Sequence, residues 1–279
     1  MAATCGPSET DGCCKTLLVS GGTFKRSYDG VDFLDPSYPA TVSDFFLDKY
    51  EVTVARFRVF VNAGMATQAS PPDQHSGAHP RIAKSGWSST WNSHLPVDTA
   101  ALKGALKCHA SYQTWTDIPG SNEDKPVNCL DWYTAFAFCA WDGGRLATEA
   151  EWNYAASGGS EQRYYPWSSP AASTTIDGSY AVYCGDTCAV QKVGSRSPRG
   201  DGKWGQSDLG GNAWEWTLDW SADPYPMPCH DCAVVTHGSY RAFRSGSNDD
   251  IAATLRSAVR HVYYPEYRGV VGARCARNL

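Results

Sequence analysis

GGRLATEAEWNYAASGG, from Gly143 to Gly159, carries both ends of a helix within one short run. Thr148 is followed three residues later by Glu151. In that capping box the hydroxyl takes the N3 amide while the carboxylate returns to the cap amide. Gly158 then supplies the residue at which such a helix stops. The preceding run LDWYTAFAFCAWDGG starts at an Asp131 cap and stops at Gly143. Further upstream, Thr53 caps VARFRVFVNAG, with Phe57, Phe60 and Val61 on one face and Gly64 as terminator. LLVSGGTF (Leu17–Phe24) reads as a strand ending in a glycine turn. SDFFLDKYEVT alternates over Phe46, Asp48 and Tyr50 as a half-buried strand does. Beyond residue 160 helix signals vanish, and SYAVYC, NAWEWTLDW and YRAFRSG stand as short strand candidates among Gly/Pro-rich turns. Few helices, many short strands and long loops predict an α+β chain with much irregular structure. The expected organisation is a Cys-containing tail over 1–16 and one domain over 17–279, with the less patterned 66–125 as a variable insertion.

The 279 residues can bury a sizeable core, and no apolar run approaches the roughly 20 residues of a membrane span. Net charge is −5 with scattered basic residues, which argues against nucleic acid or an anionic membrane as partner. Eleven cysteines, many at short closable spacings, favour an oxidising compartment, so a secreted, periplasmic or otherwise extracytoplasmic location is expected. The polar start MAATCGPSETDGCC has no apolar h-region, so export implies a signal sequence already removed.

DLGGNAWEWTLDW (Asp208–Trp220) sets glycines, Asn212 and Glu215 close together. Backbone, amide and carboxylate oxygens suit Ca²⁺; the alternative is a buried turn in which Asn212 and Glu215 bond backbone amides while Trp214 and Trp216 fill the core. Cys229 and Cys232 have CxxC spacing without a second ligand pair nearby, so a short-loop disulfide is preferred to zinc, and Cys184–Cys188 reads the same way. PRGDGKWG (Pro198–Gly205) contains an Arg-Gly-Asp that a plain glycine turn explains. Ser247, Asp249 and His261 could form a hydrolase set, but no nucleophile elbow surrounds Ser247. His75 and His79 fall in a loop and are expected to be solvated. In RSGSNDDIAATLRSAVR (Arg244–Arg260), Asp249 and Asp250 either pair with Arg256 and Arg260 or face a ligand.

Taken in order, GGTF, FFLDKYEVTVARFRVFVNAG, KPVNCLDWYTAFAFCAWDGGRLATEAEWNYAASGG, DLGGNAWEW and RSGS…LRSAVR…VVGARCA resemble the formylglycine-generating enzyme, or sulfatase-modifying factor, family from Leu17 to Ala276. The resemblance implies a variant C-type lectin fold low in regular structure and bound to calcium. Asn212 and Glu215 would be the side-chain ligands, and Leu209, Gly211 and Ala213 the carbonyl helpers. A second family calcium site aligns near Val182, beside Cys184 and Cys188, where a local disulfide would replace the ion. The family's link between its central helix and closing strand maps to Cys139–Cys275; a second family crosslink falls on Ala156 and Ser257 and is lost whole. Cys108–Cys129 is a further pairing, which leaves Cys5, Cys13 and Cys14 with one odd thiol.

Active relatives carry two copper(I)-binding cysteines after an RGGS-like motif and oxidise a sulfatase cysteine to formylglycine. Here RSGS runs into Asn248, Asp249 and Asp250 on a segment about three residues shorter, with no cysteine. Soft thiolates select copper(I), and these side chains do not. Two readings follow. One is a calcium-stabilised binding module for a peptide, glycan or small-molecule ligand, with Trp87, Trp91, Tyr263 and Tyr264 lining a groove beside Asn248–Asp250. The other is an oxygen-dependent oxidoreductase of altered chemistry. Its non-heme iron or copper site would need Asp249, Asp250 and a histidine, His261 or His237, to converge, with Asn248 and Ser247 as further catalytic candidates. A scaffold or regulatory partner of a secreted protein is a third role for the same groove.

Overall fold

The computed structural model describes residues 4–236 and 238–279, so His237 lies outside the described residues. The strands are β1 (Thr4–Cys5), β2 (Asp11–Gly12), β3 (Thr16–Val19), β4 (Gly22–Lys25), β5 (Pro39–Val42), β6 (Phe45–Asp48), β7 (Arg145–Leu146), β8 (Trp214–Trp220), β9 (Arg241–Arg244), β10 (His261–Tyr263), β11 (Val271–Gly272) and β12 (Cys275–Arg277). The helices are α1 (Val54–Asn62), α2 (Thr99–Ala105), α3 (Trp132–Trp141) and α4 (Glu149–Ala156).

Three helix starts follow local chemistry. Thr53 Oγ1 accepts from Arg56 N at 3.3 Å and Asp131 Oδ1 from Thr134 N at 2.7 Å. The capping box closes in both directions, Glu151 N to Thr148 Oγ1 at 3.0 Å and Thr148 N to Glu151 Oε2 at 2.8 Å. On α1, Phe57 and Phe60 are buried; Phe57 stacks on Phe138 of α3 at 5.3 Å and Phe60 meets the same ring edge-on at 5.4 Å. Residues 66–125 contribute α2 and a 3₁₀ turn, Ser89–His94, that carries Trp91 onto Trp132 at 5.2 Å.

One four-stranded sheet has the order β3-β6-β12-β7 and the other β10-β9-β8-β11, with two short hairpins, β4-β5 and β1-β2. The chain's last strand is therefore interior: β12 pairs antiparallel with β6 on one side and β7 on the other. Cys275 on β12 is bonded to Cys139 on α3, both fully buried. Cys108–Cys129, Cys184–Cys188, Cys229–Cys232 and Cys5–Cys13 are also closed, and Cys14 is the one cysteine of the described residues left free. Ser257 Oγ donates to the Ala156 carbonyl at 3.0 Å, so the two positions matched to a second family crosslink do lie together.

Several local expectations need correction. SYAVYC forms turns and bends instead of a strand, because its amides and carbonyls are used elsewhere: the Val182 carbonyl accepts from Asn212 N and Cys184 N donates to the Asp250 carbonyl. Asp48 on β6 is fully buried, not solvent-facing, and is held by Arg56 at 2.8 Å and by Arg277. His79 is 5% exposed, with Nε2 3.4 Å from Glu151 Oε1 and Nδ1 accepting from Arg81 N, whereas His75 is exposed as expected. Trp87 is fully buried, edge-on to Trp91 and tilted against Phe136, and so belongs to the core and not to a groove.

Candidate functional site

The run that leaves β9 turns sharply. Ser245 and Gly246 both take left-handed backbone, φ 97° and 78°, and a Cβ on Gly246 would meet Leu255 Cδ1 at 2.9 Å. The turn drives Ser247 and Asn248 inward, each 3% exposed, and leaves Asp249 exposed and Ile251 67% exposed. Asp250 is pinned by its neighbour: its Oδ2 accepts from Ser247 N at 2.9 Å and from Ser247 Oγ at 2.6 Å. Asn248 N donates to the Asn212 carbonyl at 3.0 Å, which ties this loop to the DLGGNAWEW turn. The carboxamide Oδ1 of Asn248 is buried and has no hydrogen-bond partner among the described residues. Asn248 lines a cavity of about 140 Å³ with Tyr112, Thr114, Asn122, Lys125 and Cys188. A buried acceptor left unpaired costs about 1–3 kcal/mol, so a donor entering that cavity recovers it.

None of the loop's arginines pairs with Asp249 or Asp250. Arg244 is fully buried against Glu149 at 2.7 Å. Arg256 reaches Asp32 and lies over the rings of Phe33 and Tyr164. Arg260 donates to the Ala222 carbonyl and stacks on Tyr225. Arg256 and Arg260 do not share a helical face either, since the only helical turn in this stretch is 3₁₀, Ala252–Leu255. Asp249 is thus exposed without an arginine partner and can meet a ligand, while Asp250 is held by Ser247.

An aromatic surface adjoins the loop. Trp214 packs on Phe243 at 5.0 Å and on His261 at 4.8 Å, and Tyr263 lies 4.0 Å from Tyr267. Burial raises the Tyr267 phenol, and the charges of Tyr112, Tyr263 and Asp250 add to it, so all four groups are neighbours. Tyr263 is 44% and Tyr264 54% exposed, the latter 4.8 Å from Tyr240. Trp87 and Trp91 make no ring contact with either tyrosine among the described residues. Ser247 spends its hydroxyl on Asp250 while exposed His261 packs on Trp214, so no serine–histidine pair is assembled. The described residues hold no group of three or more His, Cys, Asp and Glu side chains able to share a metal ion.

The predicted calcium residues lie behind this loop. Glu215, 1% exposed, takes Arg274 Nη2 at 2.8 Å on Oε1 and Trp152 Nε1 at 2.6 Å on Oε2. Asn212 Oδ1 accepts from Gln191 N at 3.0 Å, and its Nδ2 donates to Glu51 Oε2 at 2.7 Å. Left-handed backbone at Asp208, Gly211 and Asn212 (φ 58°, 104° and 64°) shapes the turn. Ser245 Oγ donates to the Gly211 carbonyl at 3.1 Å, and Ala213 N donates to Glu51 Oε1 at 3.0 Å. Glu51, Asp208 and Arg274 are the members of this centre that sequence reasoning missed. Three buried carboxyl groups, Glu51, Asp208 and Glu215, thereby surround one fully buried guanidinium, Arg274. Burial and the neighbouring acids push Glu51 well above the usual range, and burial pushes Asp208 up to about 6. In this arrangement Glu215 spends its carboxylate on Arg274 and Trp152, and Asn212 its carboxamide on Gln191 and Glu51.

These buried acids set a pH dependence. Asp208 titrates at about 6 and Asp219, raised by burial and by Glu149, at about 7, both from a starting value of 3.8. A raised folded value means that the folded chain binds more protons than the unfolded one across that window. Their contribution is full below about pH 4 and is lost as pH rises through 6 to 7. The free energy of urea unfolding in chelator is expected to fall over that range by an amount on the order of a few kcal/mol, and the urea midpoint with it. A midpoint that rises from pH 4 to 7 would show both carboxyls ionised in the fold at low pH.

Known proteins share this architecture. The sulfatase-modifying factor enzyme 1-like domain matches residues 2–279. Formylglycine-generating enzyme of Thermomonospora curvata is 28% identical, over 94% of this chain and 93% of its own length. Inactive C-alpha-formylglycine-generating enzyme 2 of Bos taurus is 30% identical, over 83% of this chain and 78% of its own length. The structure of PvdO from Pseudomonas aeruginosa superposes with a TM-score of 0.66 at 20% identity, covering 95% of this chain and 94% of that one, and so shares the fold. With that fold and a match across its length, the chain is a member of the formylglycine-generating enzyme, or sulfatase-modifying factor, family.

Proposed function

We propose that this family member is an extracytoplasmic binding module whose ligand, a glycan or peptide, docks on the Asn248–Asp250 loop and the adjoining tyrosines. The observation that carries the reading is the Asn248 carboxamide oxygen, buried without a partner at the wall of a polar cavity. It offers an acceptor to a ligand N–H or O–H, while exposed Asp249 supplies charge and Tyr263 and Tyr264 supply flat amphipathic surface. The loop holds amide and carboxylates where active relatives hold thiolates, so recognition of a polar ligand suits its chemistry better than copper(I) chemistry does. The five disulfides support an oxidising compartment, and no helix of the described residues is long and apolar enough to cross a membrane. A calcium ion against Glu215 and Asp208, with carbonyls from Leu209, Gly211 and Ala213, would offset the excess of buried negative charge and act structurally.

The test is binding on glycan and peptide arrays with Asn248→Ala and an Asp249→Ala/Asp250→Ala double variant. Each is expected to weaken binding about ten- to a hundredfold with the fold intact, the usual loss for a hydrogen bond to a buried or charged group. Unchanged affinity in both variants would remove the loop from the site. Elemental analysis after exposure to calcium, iron(II) and copper(I) separates the competing reading. Calcium alone supports a binding module; stoichiometric iron or copper that the double variant loses would make the loop a reaction centre.

A further inference from the structure

Cys229 and Cys232 close a disulfide across two intervening residues, and their surroundings differ. Cys229 is 3% exposed, whereas Cys232 is only half-buried. Cys232 lines a cavity of about 210 Å³ with Arg26, Glu149, Asp219, Tyr225 and Val234. Arg26 is 4% exposed, and its Nη1 points at Cys232 Sγ from 3.7 Å. Its Nη2 donates to the Pro226 carbonyl at 2.8 Å and to Met227 Sδ at 3.1 Å, and Nε has no partner among the described residues. No carboxylate lies within ion-pair distance of this guanidinium among the described residues.

The charges around the cavity do not balance. Arg244 sits 2.7 Å from Glu149 and Arg260 3.8 Å from the same carboxylate, so one acid already serves two guanidiniums. Burial opposes ionisation of Glu149, but Arg244 and Arg260 outweigh it and hold its carboxyl below the usual range. Asp219 accepts from Glu149 N and Val234 N, and burial with the nearby Glu149 charge pushes it up to about 7. Burial raises the Tyr225 phenol to about 12, which leaves it neutral. Between the cysteines, Asp231 is taken up by Arg81 at 2.9 Å and by Ser43, and His230 is exposed. Three guanidiniums therefore face one full and one partial negative charge in a mostly buried space, where unpaired charge is costly. A disulfide sulfur is a weak acceptor; a thiolate at Cys232 would give Arg26 the anion it lacks. That arrangement lowers a thiol's pKa and stabilises the reduced pair relative to the disulfide.

We infer that Cys229 and Cys232 form a redox-active pair that exchanges with a dithiol through Cys232, with Arg26 holding the Cys232 thiolate. A thiolate of the incoming dithiol attacks Cys232 Sγ. The Cys229–Cys232 bond breaks, and Cys229 leaves with the electron pair and takes a proton. The second thiol of the partner gives up its proton and attacks its own sulfur in the mixed disulfide, releasing Cys232 as a thiolate beside Arg26. The partner is oxidised to a disulfide, two electrons pass to this pair, and one proton goes to solvent. In the reverse direction Cys232 is the nucleophile and Cys229 the resolving thiol.

The folded chain, equilibrated in mixtures of reduced and oxidised dithiothreitol, then acid-quenched and mapped by alkylation, tests this. Cys229–Cys232 is expected to open with an equilibrium constant at least about a hundredfold larger than that of Cys139–Cys275. In the reduced pair, alkylation of Cys232 by iodoacetamide should follow a thiol titrating below about pH 7.5, against roughly 8.5 for a free cysteine. Arg26→Gln should move that profile up by about one unit and lower the reduction constant about tenfold, and Arg26→Lys should restore part of both. Opening of Cys229–Cys232 only together with Cys139–Cys275, or a wild-type profile near 8.5, would overturn the assignment, whether or not the Arg26 variants fold.

Discussion

The double variant Cys139→Ala/Cys275→Ala is expected to lose about 5 kcal/mol of stability, more than removal of any other crosslink in the chain. The two cysteines are separated by 136 residues, so the bond denies the unfolded chain its longest loop. Loop-closure entropy puts that at about 5 kcal/mol, against about 2 kcal/mol for Cys184–Cys188, whose separation is 4. The native side of the balance agrees. Cys139 sits in the last turn of α3, and Cys275 begins β12, the strand wedged between β6 and β7. Without the bond, only hydrogen bonding and packing hold the chain's end inside its sheet. Alanine is the better replacement, because serine would bury a hydroxyl at two fully buried positions. For a chain of this size each kcal/mol moves the midpoint by roughly 2–4 °C, so calorimetry should show a fall of about 10–20 °C. A fall of under 4 °C would mean that the closing strand is secured without its crosslink.

What the sequence made legible was local, and what it hid was long-range. The starts of α1, α3 and α4 could be read because a cap and its amide lie three residues apart. The same Glu151 that completes the capping box also grips Arg145 at 2.6 Å and faces His79, a residue far away in sequence whose loop gave no sign of burial. Trp87 looked like groove lining because aromatic residues without a period carry no signal of what they pack against; Phe136 on α3 supplies it. SYAVYC had strand composition but no strand partner, since Val182 and Cys184 bond the Asn212 turn and the acidic loop. The acidic loop itself was visible as a place where thiolates are missing. That its arginines turn away to Glu149, Asp32 and Ala222 depends on tertiary partners no spacing rule encodes. The charge imbalance at Arg274 was hidden for the same reason. Glu51, Arg274 and the run that carries both Asp208 and Glu215 are three separate segments, and no spacing rule brings them together.

That imbalance carries the second large effect. Glu215→Ala is expected to cost about 3–5 kcal/mol, the usual result of stripping one partner from a buried ion pair. Arg274 has no exposed surface, and Glu215 meets it through Nε and Nη2. The remaining nitrogen, Nη1, bonds the carbonyls of Asp48 and Lys49, which carry no full charge. Trp152 Nε1 loses its acceptor in the same substitution. Glu51 and Asp208 temper the loss, because both feel the Arg274 charge and ionise more readily once Glu215 is gone. Calcium gives the variant a second readout. If the ion rests on Glu215, chelator lowers the wild-type midpoint and leaves Glu215→Ala unmoved. A chelator shift of full size in the variant would place the ion elsewhere. Arg274→Met separates charge from packing. It keeps much of the buried volume but leaves three carboxyl groups without a guanidinium, so its midpoint should depend on calcium more steeply than the wild type's. A variant destabilised equally with and without calcium would show that Arg274 alone balances these acids.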